Sequence, residues 1–130
     1  MSLLRSAPYF PVADVERSAA YYKRVFGFQT EYLGGSPAEF AIVSRDGFGI
    51  MLRRVAKPAL IQPIEQQGGT WDAFFWVGDV RGLHAELAER GAVMVYGLTL
   101  REYQMEEFAV RDEDGHVLGF GQALPSKNKA

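Results

Sequence analysis

An α+β domain built from two consecutive βαβββ modules is predicted by three observations. FPVADV at residues 10–15 is answered by FWVGDV at 75–80, an offset of about 65 residues, and each is an extended apolar run ending in an aspartate and a valine. Each run precedes a helix-period segment that stops at glycine, and three strand-like runs follow each helix. An Asp-Gly turn signal, Asp46-Gly47 or Asp114-Gly115, precedes the last strand-like run of each half.

The elements follow in order. The first strand covers about residues 7–12. Asp14 is suited to cap the helix after it, because its carboxylate can accept free N–H groups of the first turn. The first helix spans Val15 to Phe26, with Val15, Ala19, Tyr22 and Phe26 on one face and Gly27 as the stop. Strands are expected at 28–33, 38–45 and 48–54. Residues 55–70, VAKPALIQPIEQQGGT, carry two prolines and a Gly-Gly pair and read as an irregular linker. The second half repeats the scheme: a strand ending at Val77, an Asp79 cap, and a helix from Val80 to Arg90. That helix turns Val80, Leu83, Leu87 and His84 inward, and Gly91 stops it. Strands at 92–98, 104–110 and 116–122 complete it. Neither half has an obvious core of its own. One domain over residues 4–124 is therefore expected, with module 1 at about 7–54, module 2 at about 71–123, and a flexible tail at 125–130.

Composition excludes several classes of function. The 130 residues are 48% hydrophobic and 23% charged, as in an ordinary globular chain. A formal charge of −2 leaves no basic footprint for nucleic acid. The absence of cysteine removes disulfides and thiolate metal sites and fits a cytoplasmic address. MSLLRSAPYF lacks the apolar run of a signal peptide, and no segment has transmembrane length, so no membrane partner is expected. His84 and His116 are the only histidines, which nearly excludes a site of two or three histidine ligands.

Strand alternation sorts the side chains. Phe48, Ile50 and Leu52 share one face of their strand, opposite Gly49, Met51 and Arg53. His116, Leu118 and Phe120 likewise oppose Val117, Gly119 and Gly121. The bulky faces should pack under the helices. The opposite faces should line a cleft, joined by Ala7, Tyr9 and Pro11 from the first strand and Asp72, Phe74 and Trp76 from the fifth. The directions of Trp71, Phe40 and Tyr103 are not fixed by this pattern.

FPVADVERSAAYYKRVFGF at 10–28, FFWVGDV at 74–80 and FAVRDEDGHVLGFGQ at 108–122 resemble the vicinal oxygen chelate superfamily. That superfamily includes glyoxalase I, bleomycin-resistance proteins, fosfomycin-resistance enzymes and extradiol dioxygenases. The resemblance implies paired βαβββ modules forming a curled mixed sheet around a cleft, usually in a homodimer. Metal-dependent members take ligands from the first and last strand of each module. By motif these positions fall here on Ala7, Met51, Asp72 and Gly119, of which only Asp72 can ligate. One carboxylate does not make a transition-metal site.

No metal and no cofactor is therefore expected, as in the metal-free bleomycin-resistance type. The cleft candidates for ligand binding are Tyr9, Met51, Arg53, Asp72, Phe74, Trp76 and Gly119. Aromatic walls with few polar groups suit a small planar or cationic organic molecule. For Asp72 two readings stay open: an internal partner such as Arg53, or a ligand group. The expected function is sequestration of such a molecule by a homodimer. The alternative is a glyoxalase- or dioxygenase-like enzyme with an unconventional metal site or metal-free acid–base chemistry.

Overall fold

Two four-stranded mixed sheets carry the chain. In the computed structural model, which describes residues 1–125, module 1 comprises β1 (Tyr9–Val12), α1 (Val15–Phe26), β2 (Gln29–Gly35), β3 (Ala38–Arg45) and β4 (Phe48–Arg54). Module 2 comprises β5 (Ala73–Trp76), α2 (Val80–Glu89), β6 (Val93–Arg101), β7 (Met105–Arg111) and β8 (Val117–Ala123). Strand orders are β1-β4-β3-β2 and β5-β8-β7-β6. In each sheet the first strand runs parallel to the last, and the other pairs are antiparallel. The expected tail at 125–130 lies, from residue 126 on, outside the described residues.

Local chemistry explains the helices. The Asp14 carboxylate accepts the Arg17 N–H at 3.0 Å, and Gly27 closes α1 in the left-handed region at φ 73°. Glu16 in the first turn and Lys23 and Arg24 in the last complement the helix dipole. Asp79 repeats the cap on α2 by accepting the Gly82 N–H at 3.0 Å. Two features depart from expectation by more than a residue or two. Strand β6 continues to Arg101, because its pairing with β7 runs on to Arg101 opposite Met105 past two irregularities in register. The linker holds two short 3₁₀ turns, Pro58–Leu60 and Ile64–Gln67. A proline begins the first turn and immediately precedes the second, since its missing N–H costs nothing at a helix start.

Each helix lies on one face of its own sheet, and these inner faces merge into one core. Val12, Tyr22, Phe26, Ile50 and Leu52 of module 1 are buried together with Val80, Leu87, Phe108, Leu118 and Phe120 of module 2. One helix cannot cover the apolar face of four strands, so the remaining area is buried against the other module. The two sheets are not closed into one. They share this core through their helix sides, and Tyr9, Arg53 and Trp76 on the opposite faces are exposed. Among the described residues no helix is long and apolar enough to cross a membrane.

The turn between β7 and β8 fastens the modules. Asp112 Oδ1 accepts the N–H groups of Asp114 and His116, both at 2.9 Å, which shapes the turn. Its Oδ2 accepts the Tyr22 hydroxyl of α1 at 2.7 Å. Asp114 accepts the Ala13 N–H at 3.1 Å, and His116 Nε2 donates to the Pro11 carbonyl at 2.7 Å. The His116 ring also stacks on Phe10, with centroids 4.5 Å apart. At the far side Arg45 grips Glu86 of α2 with two hydrogen bonds of 2.8 Å.

Burial pushes the Asp112 carboxyl up to about 6 from an ordinary 3.8, against the opposing pull of His116 and the Tyr22 hydroxyl. A carboxyl raised on folding favours the folded state when protonated, so its ionisation removes stability as pH rises through that value. Glu86, held low by Arg45, has the opposite sign and loses its contribution below the ordinary carboxylate range. Stability should therefore rise as pH falls from 7.5 toward the ordinary carboxylate range and fall again below it. Urea unfolding should show a gain of about 1 kcal/mol on going from pH 7.5 to pH 5, about half of what the full shift would give. Asp112→Asn, which keeps an acceptor for the two backbone amides, should flatten that change. An unchanged pH profile in the variant would refute the assignment.

Candidate functional site

Two outward faces carry the residues singled out from the sequence. On module 1, Tyr9 pairs with Met51 across the β1–β4 ladder. Arg53 Nε donates to the Tyr9 hydroxyl at 3.0 Å, and its guanidinium lies 5.6 Å from the Phe40 ring centroid. Phe40 also meets Tyr9 at 6.4 Å and Tyr32 at 6.2 Å. The N-terminal segment crosses this face: Arg5 covers Gly49 and pairs with Glu31 at 2.8 Å. A small hollow remains between Arg5, Ser6, Ala7, Ile42 and Met51.

On module 2, Phe74 pairs with Gly119, the equivalent of Tyr9 with Met51. The space beside Gly119 is filled. A Cβ placed there would lie 2.5 Å from Trp71 Cδ1 and 2.7 Å from Phe74 Cδ2. A Cβ on Gly121 would lie 2.7 Å from Phe74 Cζ and 2.8 Å from Met105 Cε. The two glycines thus form a flat floor on which aromatic rings lie directly against backbone. Trp71 and Phe74 have centroids 4.6 Å apart, and Trp76 meets Phe74 edge-on at 5.0 Å. Trp76 is 73% exposed.

Asp72 does not face this surface. Its carboxylate accepts the Val117 N–H at 2.7 Å and the Ile64 N–H at 3.0 Å, and lies 3.7 Å from His116 Nδ1. It fastens the end of the linker to the start of β8. Its internal partners are backbone amides and not Arg53. His84 sits at the core edge, edge-on to Phe108 at 5.1 Å.

A metal of the kind used by metal-dependent members does not fit these residues. Ala7 and Met51 offer no hard donor, the Gly119 position is roofed by an indole, and both Asp72 oxygens are taken by amides. Among the described residues no group of three or more histidine, cysteine, aspartate or glutamate side chains could hold a metal ion.

Sequence reasoning missed one cluster. Trp71 Nε1 donates to the Tyr96 hydroxyl at 2.9 Å, and Tyr96 donates to Glu107 Oε1 at 3.0 Å. Arg101 Nε and the Tyr103 hydroxyl reach the same oxygen at 2.9 and 2.8 Å. Glu107 lies opposite Gly121 in the β7–β8 ladder and is completely buried. Counting back from the Asp-Gly turn would have put it on the glycine floor. Its orientation was legible, but its hydroxyl partners were not. A cavity of about 430 Å³ lies elsewhere, between the modules, lined by Phe28, Asp46, Phe48, Trp76, Asp79 and Leu83.

The model of the Glyoxalase/Bleomycin resistance protein/Dioxygenase superfamily matches residues 7–120. The chain belongs to that superfamily. Solved structures agree on the superfamily fold. TioX from Micromonospora sp. ML1 is 25% identical, with a TM-score of 0.74, over 93% of this chain and 99% of that one. The bleomycin-binding protein of bleomycin-producing Streptomyces verticillus, solved with copper(II)-bleomycin, is 20% identical, with a TM-score of 0.67, over 97% and 99%. A glyoxalase-related enzyme from Clostridium phytofermentans is 12% identical, with a TM-score of 0.76, over 95% and 98%. No curated protein matches the sequence. Within this superfamily, then, the chain presents aromatic surface where a ligating carboxylate would need room.

Gly119→Ala tests the roofing directly. The added methyl must displace Trp71 or Phe74, and overpacking of this kind costs about 1–3 kcal/mol. A lowered melting temperature with altered tryptophan fluorescence is expected. A variant as stable as the parent, with the same spectrum, would contradict the packing described.

Proposed function

We propose that the chain is a metal-free binding protein that sequesters a small planar or cationic molecule without changing it. The observation that carries this reading is the outer face of module 2, where Trp71, Phe74 and Trp76 lie on a glycine floor with Trp76 open to solvent. Such surfaces stack on flat ligands and attract cations at roughly 0.5–2 kcal/mol per contact. Tyr9, Phe40, Met51 and Arg53 supply a second, similar surface on module 1. A bleomycin-binding protein shares this fold, so the fold is suited to holding a small molecule.

In one chain the two faces point apart, so neither encloses a ligand alone. Two copies that set the module 1 face of one against the module 2 face of the other would close the cleft. Exposed Tyr9, Tyr32 and Trp76 give these faces apolar surface to bury. A homodimer is therefore part of the proposal. A cysteine-free chain fits the reducing cytoplasm as its place of action.

Two measurements check it. Light scattering should return twice the 14.5 kDa chain mass. A thermal-shift screen of planar aromatic compounds should find stabilisation, about 2.7 kcal/mol for a ligand at 100-fold its dissociation constant. Trp76→Ala should weaken any hit by about fivefold or more without lowering the melting temperature of the free protein, since an exposed ring contributes to binding and little to folding. A monomer that no such compound stabilises would sink the reading.

A further inference from the structure

Glu107 treats its two oxygens unequally. Oε1 accepts three hydrogen bonds, from Tyr96, Arg101 and Tyr103, while Oε2 is equally buried and has no partner. A buried acceptor without a donor is costly, and folded proteins leave few of them. The donors on Oε1 are themselves fixed. Trp71 holds the Tyr96 hydroxyl, and the Arg101 guanidinium lies 4.8 Å from the Tyr96 ring centroid. The carboxylate cannot turn to share its donors without breaking three hydrogen bonds at once.

Glu107 stands at the glycine floor, opposite Gly121. A Cβ on Gly121 would sit 3.3 Å from Glu107 Cβ, beside Phe74 and Met105. Met105, half-buried at the start of β7, covers the same floor with an unbranched side chain that can change rotamer. Arg101 already balances the Glu107 charge at 2.9 Å. What Oε2 lacks is a hydrogen-bond donor, with no net charge left to cancel.

We propose that Glu107 is the specificity-determining residue of this face: Oε2 accepts a polarised N–H on the edge of a planar heteroaromatic ligand whose ring stacks on Phe74 and Trp76. The ligand class is an aminoheteroaromatic. This rests on reading the module 2 face as the ligand face, and it adds which atom selects the ligand.

Three acridines separate the contributions by isothermal titration at pH 8. Acridine offers a flat ring alone, N-methylacridinium adds charge without a donor, and 9-aminoacridine adds N–H donors. A charge-assisted hydrogen bond should make 9-aminoacridine bind at least about tenfold tighter than N-methylacridinium. Glu107→Gln keeps an oxygen for Tyr96, Arg101 and Tyr103 but puts an amide N–H in place of Oε2, and should bring the two within about twofold. Asp46→Asn, at the cavity between the modules, should change neither affinity. Equal affinities in the wild-type protein, which need no variant to fold, would overturn the anchor and leave stacking intact. So would an undiminished preference in Glu107→Gln, or a loss of binding in Asp46→Asn. If none of the three binds, the face is not a ligand face and both readings fall.

Discussion

The buried Asp112 carboxylate is the point on which the architecture turns. It shapes the β7–β8 turn through two backbone amides and reaches across to Tyr22 in the first helix. Asp114, one step along, takes the Ala13 N–H from the other module. The D-x-D-G sequence is thus both a turn and a clasp. Because it joins the helix sides of the two sheets, the glycine-bearing and aromatic faces have to look outward. Burial raises the proton affinity of the clasp itself, so part of the cost of holding the modules together is electrostatic.

Much of this arrangement was legible in the sequence. Aspartate caps and glycine stops bracket both helices, and period-two alternation sorted Phe10, Val12, Ile50, Leu52, Leu118 and Phe120 into the core. These are local signals, written within a few residues of the element they specify. The relation between the modules was not legible in the same way. A repeat shows that two halves have the same fold, but whether they meet by their helix sides or their open sides depends on contacts about ninety residues apart, such as Tyr22 with Asp112. Asp72 shows the same limit. Alternation placed it on the open face, yet the strand begins only at Ala73, and ahead of it the carboxylate turns to amides of the linker and β8.

The site follows the same division. Phe74 and Trp76 could be assigned to the open face by parity alone. Trp71 could not, because it precedes the strand, and it is the residue that fills the space over Gly119. The Glu107 cluster draws on three separate stretches of chain: the linker end, β6 with its two irregular steps, and the β6–β7 turn. Those irregularities break the simple count that would otherwise have aligned Tyr96 with its partners. Convergence of side chains across a bulged ladder is a property of register, and register was the least visible quantity in the sequence.

The closeness of Trp71 to Gly119 also constrains the order in which this surface could have been assembled. A carboxylate at position 119 and an indole at position 71 cannot occupy the same volume. From a metal-binding predecessor, glycine had to appear before tryptophan could settle over it. Once the indole is in place, restoring a ligand at 119 by one substitution meets a ring instead of a metal. The step back requires two coordinated changes, so for an evolving chain the contact behaves as a ratchet.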